Sequence, residues 1–362
     1  MFWLFVPVFL IDRGFSGFHI GLFIGLASLV SLLTTLPAGV ANDRYKSKTI
    51  IFYSLFFSII YYFGLLSTEN VILLGIIFLI GGLGKNLFTI SIDALTFKVV
   101  ESKKSPLEMS KYVAGTSIGA IFGFLLGGYA IAEYGYEYTM VGIIILLVCL
   151  AFGSLLLPIT ETVKVKLFEY KKDLFKKEVL FFVGIVFLFT LHFGAEATSY
   201  SIFVRDTFNL TMDKVGMFIA GANVFLVLGN LYFARKVSKG FDPKKVFYFA
   251  LLISGIGHVL FSIQSDVWWS FAFRCFHEFG DGAMIFSIYY GIVRIFDIER
   301  IGGNSSFISL IIIVSSSISA FIFGPLGEQY GYWLPLFVTG LTNILAFFLI
   351  LYFSKKVLPK TA

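Results

Sequence analysis

Residues 70–97 read NVILLGIIFLIGGLGKNLFTISIDALTF, and this stretch decides the fold. Lys85 and Asp93 are the only charged side chains among its 28 residues. As a helix rising about 1.5 Å per residue, it is longer than the roughly 30 Å hydrocarbon core of a bilayer. Similar apolar runs recur along the whole chain, so the sequence predicts an all-α polytopic membrane protein.

Charged or turn-rich breaks delimit eleven apolar runs long enough to span a membrane. They fall near 19–41, 49–67, 70–97, 112–133, 138–159, 179–204, 215–234, 246–263, 267–293, 306–327 and 333–353. The 362 residues are 58% hydrophobic and only 14% charged, whereas a soluble domain carries about 25% charged residues. This composition excludes a water-soluble globule and a disordered chain.

The basic residues lie on alternate connections between these runs. Of the 28 Lys and Arg residues, 22 lie on one set of connections and the C-terminal tail, and 3 lie on the other set. Because Lys and Arg concentrate on the cytoplasmic side of a membrane, we expect the first set and the C-terminus to face the cytoplasm of a plasma-membrane protein. The net charge of +6 is then a topology signal, and nucleic acid is not an expected partner.

The two halves of the chain are similar at an offset of about 195 residues. Residues 20–27 read IGLFIGLA and residues 215–222 read VGMFIAGA, and a Tyr-Gly-Tyr triplet occurs at 134–136 and at 330–332. Parallel repeats of six spans are a recurring design among transporters. The sequence therefore predicts two pseudo-symmetric six-helix bundles.

The predicted domains follow from this repeat. Residues 1–159 form the N-terminal bundle, 160–178 a basic cytoplasmic linker, and 179–362 the C-terminal bundle with a short cytoplasmic tail. The run 179–204 lacks a full partner in the first half, because residues 1–11 cover only about half a bilayer. We therefore expect the first helix to be truncated at its N-terminus.

The connection after the first full span carries a charged signature, GVANDRYKSK, at residues 39–48. It resembles the G-x-x-x-D-R-x-G-R-K loop of the major facilitator superfamily, with Gly39, Asp43, Arg44 and Lys48 at matching positions. In that family the loop makes charge contacts between the two halves on the cytoplasmic side. The resemblance therefore implies that these four residues act as a conformational switch.

A second signature lies in the run 112–133, where glycines recur four residues apart. The series comprises Gly115, Gly119, Gly123, Gly127 and Gly128. It resembles the family pattern G-x-x-x-G-P-x-x-G-G, except that Phe124 stands at the proline position. Such a stripe lets two helices approach closely, and in this family it is associated with exporters. A generic packing stripe is the alternative interpretation.

Ionisable side chains inside the apolar runs are the candidate functional residues, because a charge in a bilayer costs at least about 2.5–3.5 kcal/mol. The family resemblance implies that 70–97, 179–204 and 267–293 are cavity-lining helices four, seven and ten. They carry Lys85, Asp93, His192, Glu196, Arg274, His277, Glu278 and Asp281. His258, on a peripheral run, is interpreted as a hydrogen-bonded packing residue.

We expect Glu196, Glu278 and Asp281 to couple transport to protons. Burial raises the pKa of a carboxylate and a nearby cation lowers it, so alternating exposure can load and release a proton. The candidates for substrate contact or proton relay are Lys85, Asp93, His192, Arg274 and His277. An ion pair between Lys85 and Asp281 across the cavity is expected, whereas Arg274 and Glu278 could instead form a structural salt bridge four residues apart.

The sequence thus predicts a secondary transporter that moves a small organic solute by alternating access, with proton-coupled export favoured. A proton-coupled importer of a sugar or organic acid, held by Lys85 and Arg274, is the alternative. A non-transporting membrane sensor or scaffold is the alternative from another class. The expected partners are the solute, protons and the lipid bilayer. We expect a monomer, no enzymatic activity, no cofactor and no metal.

Overall fold

The computed structural model describes residues 2–99, 106–159, 176–296 and 301–357, and these residues contain helices and no strand. Eleven α-helices lie in this part of the chain. They are α1 (Val6–Asp12), α2 (Gly17–Arg44), α3 (Ser47–Ser67), α4 (Val71–Val99), α5 (Pro106–Ser154), α6 (Lys177–Thr207), α7 (Met212–Ser238), α8 (Pro243–Ser262), α9 (Val267–Ile295), α10 (Ile301–Tyr330) and α11 (Trp333–Val357).

Nine of the helices within the described ranges are long and apolar enough to cross a membrane. The two others are α1, with only seven residues, and α9, which has 29 residues but carries Arg274, Glu278 and Asp281 near its middle. The polar stripe of α9, rather than its length, separates it from the rest. The predicted all-α polytopic fold is confirmed.

The 49-residue helix α5 consists of two arms. A continuous helix of that length would extend for about 74 Å, more than twice the roughly 30 Å hydrocarbon core of a bilayer. Gly135, with φ 79° and ψ 175°, breaks it in a conformation that favours glycine. Tyr112 on the first arm bonds to the end of α4, and Lys48 Nζ at the start of α3 donates to the Leu155 carbonyl 3.3 Å away. Both arms therefore end on the same side, and Gly135 supplies the predicted turn between 112–133 and 138–159.

Several helices begin where a side chain caps the free backbone amides. Ser16 accepts a hydrogen bond from the His19 amide at the start of α2, and Asp266 accepts from the first amides of α9. Asp242 caps α8, with Pro243 at the first helical position. The short connections between these helices make successive helices antiparallel.

Alternate connections consequently lie at the same end of the molecule. We call the end with residues 45–46, 239–242 and the C-terminus of α11 the basic end. The end with residues 13–16 and 208–211 is the opposite end. Short α1 lies at the opposite end, where Phe5, Val8 and Leu10 are fully buried in a core shared by both halves. The predicted truncation of the first helix stays a prediction.

The two halves pack together most extensively where α2 meets α10 and α5 meets α7. At the opposite end, Asp12 Oδ1 accepts a hydrogen bond from Arg205 Nη1 at 2.6 Å, and Asp12 Oδ2 accepts one from the Tyr136 hydroxyl at 3.1 Å. Glu328 Oε2 accepts from the Phe18 amide at 3.4 Å. These contacts close the opposite end.

The glycine series in α5 only partly provides close helix packing. A Cβ added at Gly128 would lie 2.6 Å from the Met212 carbonyl oxygen on α7, and one at Gly127 would lie 3.2 Å from Phe5. At Gly115 and Gly119 an added Cβ would meet nothing within 4 Å, so the packing prediction is wrong for these two in this conformation. The reason is that α7 contacts α5 nearer the opposite end.

Candidate functional site: a central cavity and a buried charge network

A cavity of about 670 Å³ lies between the two halves, with walls from α2, α4, α5, α6, α9 and α10. Asp93, Tyr289 and Ser309 on its wall lie toward the basic ends of their helices. Since the opposite end is closed by the Asp12 contacts, the cavity is offset toward the basic end. Its lining is mainly apolar, with serine, threonine and asparagine side chains between the apolar groups.

Three of the predicted charged residues line this cavity, namely Lys85, Asp93 and Glu196. The other candidates lie packed inside the C-terminal half and are at most 3% exposed: His192, Arg274, His277, Glu278 and Asp281. The expectation that all of them converge on one cavity is therefore wrong. Their polar groups bond to one another between α6, α8 and α9 instead of facing the cavity.

Lys85 is exposed within the cavity, and its Nζ lies 5.0 Å from the centre of the Trp3 ring. Among the described residues, no carboxylate oxygen lies within 4.0 Å of this Nζ. The predicted ion pair with Asp281 is wrong, because Asp281 is buried and its Oδ2 lies 2.9 Å from His192 Nε2. Lys85 therefore presents its charge to whatever occupies the cavity.

Asp93 is held by two tyrosines, one from each half of the chain. The Tyr112 hydroxyl on α5 donates to its Oδ1, and the Tyr289 hydroxyl on α9 lies 3.4 Å from each carboxylate oxygen. In the described part of the chain, no Lys or Arg nitrogen lies within 4.0 Å of this carboxylate. Sequence reasoning missed both tyrosines, because nothing in their local sequence distinguishes them from the other tyrosines in the chain.

Glu196 joins the cavity to the buried network. Its Oε1 accepts a hydrogen bond from Arg274 Nη1 and lies 3.2 Å from His277 Nε2. Arg274 Nη2 also donates to Glu278 Oε1 at 2.6 Å, so the salt bridge four residues apart does form. The guanidinium carbon lies 4.0 Å from the centre of the Tyr200 ring. Arg274 is therefore held by two carboxylates and is only 2% exposed, although its Nε has no hydrogen-bond partner among the described residues.

Two histidines in the network lie close to backbone carbonyls. His192 Nδ1 lies 2.5 Å from the Phe189 carbonyl oxygen, and His277 Nδ1 lies 2.8 Å from the Ser254 carbonyl oxygen. The Asn343 Nδ2 atom lies 3.4 Å from His192 Nδ1, and the Ser254 hydroxyl lies 3.2 Å from His277 Nδ1. Each Nδ1 therefore has partners for either of its tautomers.

Asp281 contacts both of these rings. Its Oδ2 lies 2.9 Å from His192 Nε2 and 3.4 Å from His277 Nε2. An Nε2 atom that carries a hydrogen donates it to the carboxylate. The two rings and Asp281 therefore form one connected set of proton donors and acceptors.

His258 belongs to the same network, although the sequence places it apart from the site. It is fully buried, and its Nδ1 lies 3.2 Å from His277 Nε2 and 3.6 Å from Glu196 Oε1. The antiparallel pairing of α8 with α9 brings it there, and no local spacing signals this contact. The interpretation of His258 as only a packing residue is therefore too narrow.

The network also has the composition of a metal site. Ligand atoms lie within 4.8 Å of one another in two groups of three, His192 with His277 and Asp281, and Glu196 with His258 and His277. Arg274 bonds directly to Glu196, and its positive charge opposes a second cation in the group that contains Glu196.

The proposed switch loop lies where α2 ends at Arg44 and α3 begins at Ser47. The side chain of Asp43 lies outside the described residues. Arg44 is exposed, and Lys48 donates to a carbonyl of its own half. Within the described ranges neither forms an ion pair with the other half, so the switch role stays a prediction for Gly39, Asp43, Arg44 and Lys48.

Comparison with known proteins assigns the family. A model described as Major Facilitator Superfamily matches residues 1–239 and 185–362. The chain belongs to the major facilitator superfamily. Both halves match the same model, in agreement with the internal repeat. The family and the fold are those of transporters, and the chain is a multi-pass membrane protein.

Two relatives and one solved structure illustrate the range of the superfamily similarity. The chain is 24% identical over 271 residues to the quinolone resistance protein NorA of Staphylococcus aureus (strain COL), covering 73% of this chain and 69% of NorA. It is 28% identical over 117 residues to the uncharacterized MFS-type transporter YqjV of Bacillus subtilis (strain 168), covering 32% of this chain and 28% of YqjV. A crystal structure of the human organic anion transporter MFSD10 (TETRAN) matches with a TM-score of 0.70 at 15% identity, covering 91% and 83%, and shows the shared fold.

Proposed function

We propose that this major facilitator protein exports a small organic solute in exchange for protons by alternating access. The observation that carries the proposal is the position of Glu196, which lines the cavity and bonds to the buried network. A solute in the cavity and a proton in the network therefore meet at one side chain. The name of the NorA relatives, quinolone resistance protein, supports the outward direction.

The proposed proton route starts at Glu196 and continues inward. His277 Nε2 lies 3.2 Å from Glu196 Oε1 and 3.4 Å from Asp281 Oδ2, so it can pass a proton between the two carboxylates. His192 then shares the proton with Asp281. Glu278 accepts a hydrogen bond from Arg274, so its proposed contribution is to hold the guanidinium that stabilises ionised Glu196.

The proposed orientation puts the basic end in the cytoplasm of a plasma-membrane protein. With that orientation the cavity is offset toward the cytoplasm, and the Asp12 contacts close the extracellular side. The structure would then represent an inward-facing state, ready to load a solute for export. We propose a monomer, because one chain supplies both halves of the cavity.

The importer alternative needs both Lys85 and Arg274 to hold a sugar or organic acid. Arg274 bonds to two carboxylates and is almost fully buried, so only Lys85 is available to a substrate. This observation favours export over that form of import. A sensor or scaffold without transport is tested by the same experiment as the transport proposal.

The test uses purified protein in proteoliposomes with an imposed pH gradient and a panel of dyes, sugars and organic ions. We expect solute movement against its gradient together with proton flux in the wild type. Glu196→Gln and Asp281→Asn should abolish the proton-linked component, because each removes a carboxylate from the proton route. Exposed Glu133→Gln is the matched control and should behave like the wild type.

Wild-type proton coupling in both variants would refute the site assignment. Solute movement that needs the protein but does not depend on the pH gradient would refute proton exchange and would still support transport. A panel in which no solute moves and no proton flux occurs would favour the sensor or scaffold.

A further inference from the structure

Two side chains of opposite charge on the cavity wall have no ion-pair partner among the described residues. Glu196 also lines the wall, but it is paired with Arg274. Lys85 has no carboxylate partner, and Asp93 has no cationic partner within the described part of the chain. The cavity wall thus carries an exposed cation, Lys85, and a 9% exposed anion, Asp93, rather than charges of a single sign.

The two charges are separated along one helix. Lys85 and Asp93 are eight residues apart on α4, which corresponds to about 12 Å along the helix axis. Thr89 lies between them, is exposed within the cavity and also lines its wall. A solute that engages both groups must therefore be extended along α4.

The surroundings of each charge define the two ends of such a solute. Near Lys85, the Trp3 ring offers a flat apolar surface beside the ammonium group. At Asp93, the hydroxyls of Tyr112 and Tyr289 hold the carboxylate while leaving lone pairs available to another donor. Phe124 and Phe193 add apolar wall to the same cavity. Its volume of about 670 Å³ is in the range of pockets for drug-sized ligands, roughly 300–1,000 Å³.

From this arrangement we propose that the cavity binds a zwitterionic organic solute with an aromatic body. Its anionic group contacts Lys85, and its cationic group contacts Asp93. The aromatic body lies between them, against Trp3 and the phenylalanines. This inference rests on the proposed function only in naming the cavity as the solute site.

The test measures equilibrium binding to the purified full chain in detergent, without any gradient. The probes are four matched naphthalenes: aminomethyl-naphthoate (zwitterion), naphthoate (anion), naphthylmethylammonium (cation) and naphthalenemethanol (neutral). Because each charge-assisted contact is worth about tenfold or more in affinity, we expect the zwitterion to bind at least about tenfold tighter than either singly charged probe.

Variants assign each end of the probe to a side chain. Lys85→Gln should lower zwitterion affinity to that of the cation, and Asp93→Asn should lower it to that of the anion. Lys85→Arg should retain the preference, and it shows whether loss in Lys85→Gln comes from charge rather than misfolding. Exposed Lys214→Gln and Glu133→Gln are the matched controls.

Equal binding of the zwitterion and a singly charged probe would overturn the proposal, as would an unchanged probe ranking in Lys85→Gln and Asp93→Asn. The outcome is separable from that of the proposed function. Charge-dependent binding without proton-linked transport would refute proton exchange and support the zwitterionic solute class. Proton-linked export of only a singly charged probe would support proton exchange and refute the zwitterionic solute class.

Discussion

Arg274 is the side chain whose removal should damage the buried network most. It bonds to Glu196 and Glu278, and the side chains of the two carboxylates are 14% and 4% exposed. Removing one partner of a buried ion pair costs about 3–5 kcal/mol, because the remaining charge is left in a medium that solvates it poorly. We therefore expect Arg274→Met to lower the free energy of unfolding by about that amount, chiefly through Glu278. At about 2–4 °C per kcal/mol for larger domains, the Tm should fall by about 6–20 °C.

The assay is thermal unfolding of purified variants in detergent, followed by intrinsic tryptophan fluorescence. If stranded charge is the cause, removing the carboxylates as well should restore stability. Arg274→Met combined with Glu196→Gln and Glu278→Gln should therefore recover most of the lost Tm. Exposed Arg235→Met is the matched control. A single variant within about 2 °C of the wild type, or a triple variant no more stable than the single one, would refute the reasoning.

Two further predictions concern the contacts between the halves. Asp12→Asn should weaken the bond to Arg205, a partly exposed pair worth about 1 kcal/mol or less, and favour opening of the opposite end by up to about fivefold. The measurement is the rate at which an impermeant maleimide, added at the opposite end, labels the cavity variant Ser28→Cys in a Cys149→Ser background. Asp12→Asn should raise this labelling rate, and an unchanged rate would contradict closure by Asp12. Gly128→Ala should lower the Tm because its Cβ would lie 2.6 Å from a carbonyl oxygen of α7, while Gly115→Ala, with open space around it, should not. Equal Tm values for these two variants would contradict the packing.

The helical fold could be predicted because a lipid environment permits few backbone structures. A backbone in hydrocarbon must satisfy its own hydrogen bonds, so long apolar runs become helices whatever their detailed sequence. The run 70–97 illustrates this, since α4 spans Val71–Val99. The Gly135 break was also foreseeable, because two apolar runs there are separated by a Tyr-Gly-Tyr turn.

The site was only half predictable, because helical periodicity shows which residues share a face but not what the face contacts. Arg274, His277, Glu278 and Asp281 do share a stripe of α9, but this stripe packs against α6 and α8 rather than lining the cavity. His258 joins through the pairing of two helices, which a spacing rule within one helix cannot detect.

Glu196 is the only member of the network that reaches the cavity wall in the described part of the chain, and this has a consequence for the fidelity of exchange. Under the proposed mechanism, a proton enters the network through Glu196, which lies on the wall of the cavity that holds the solute, so solute binding and proton binding affect each other. An inhibitor that binds tightly against Glu196 should therefore block proton leak as well as solute transport. Contact of one side chain with both the cavity and the proton route therefore suppresses movement of either the solute or the proton alone.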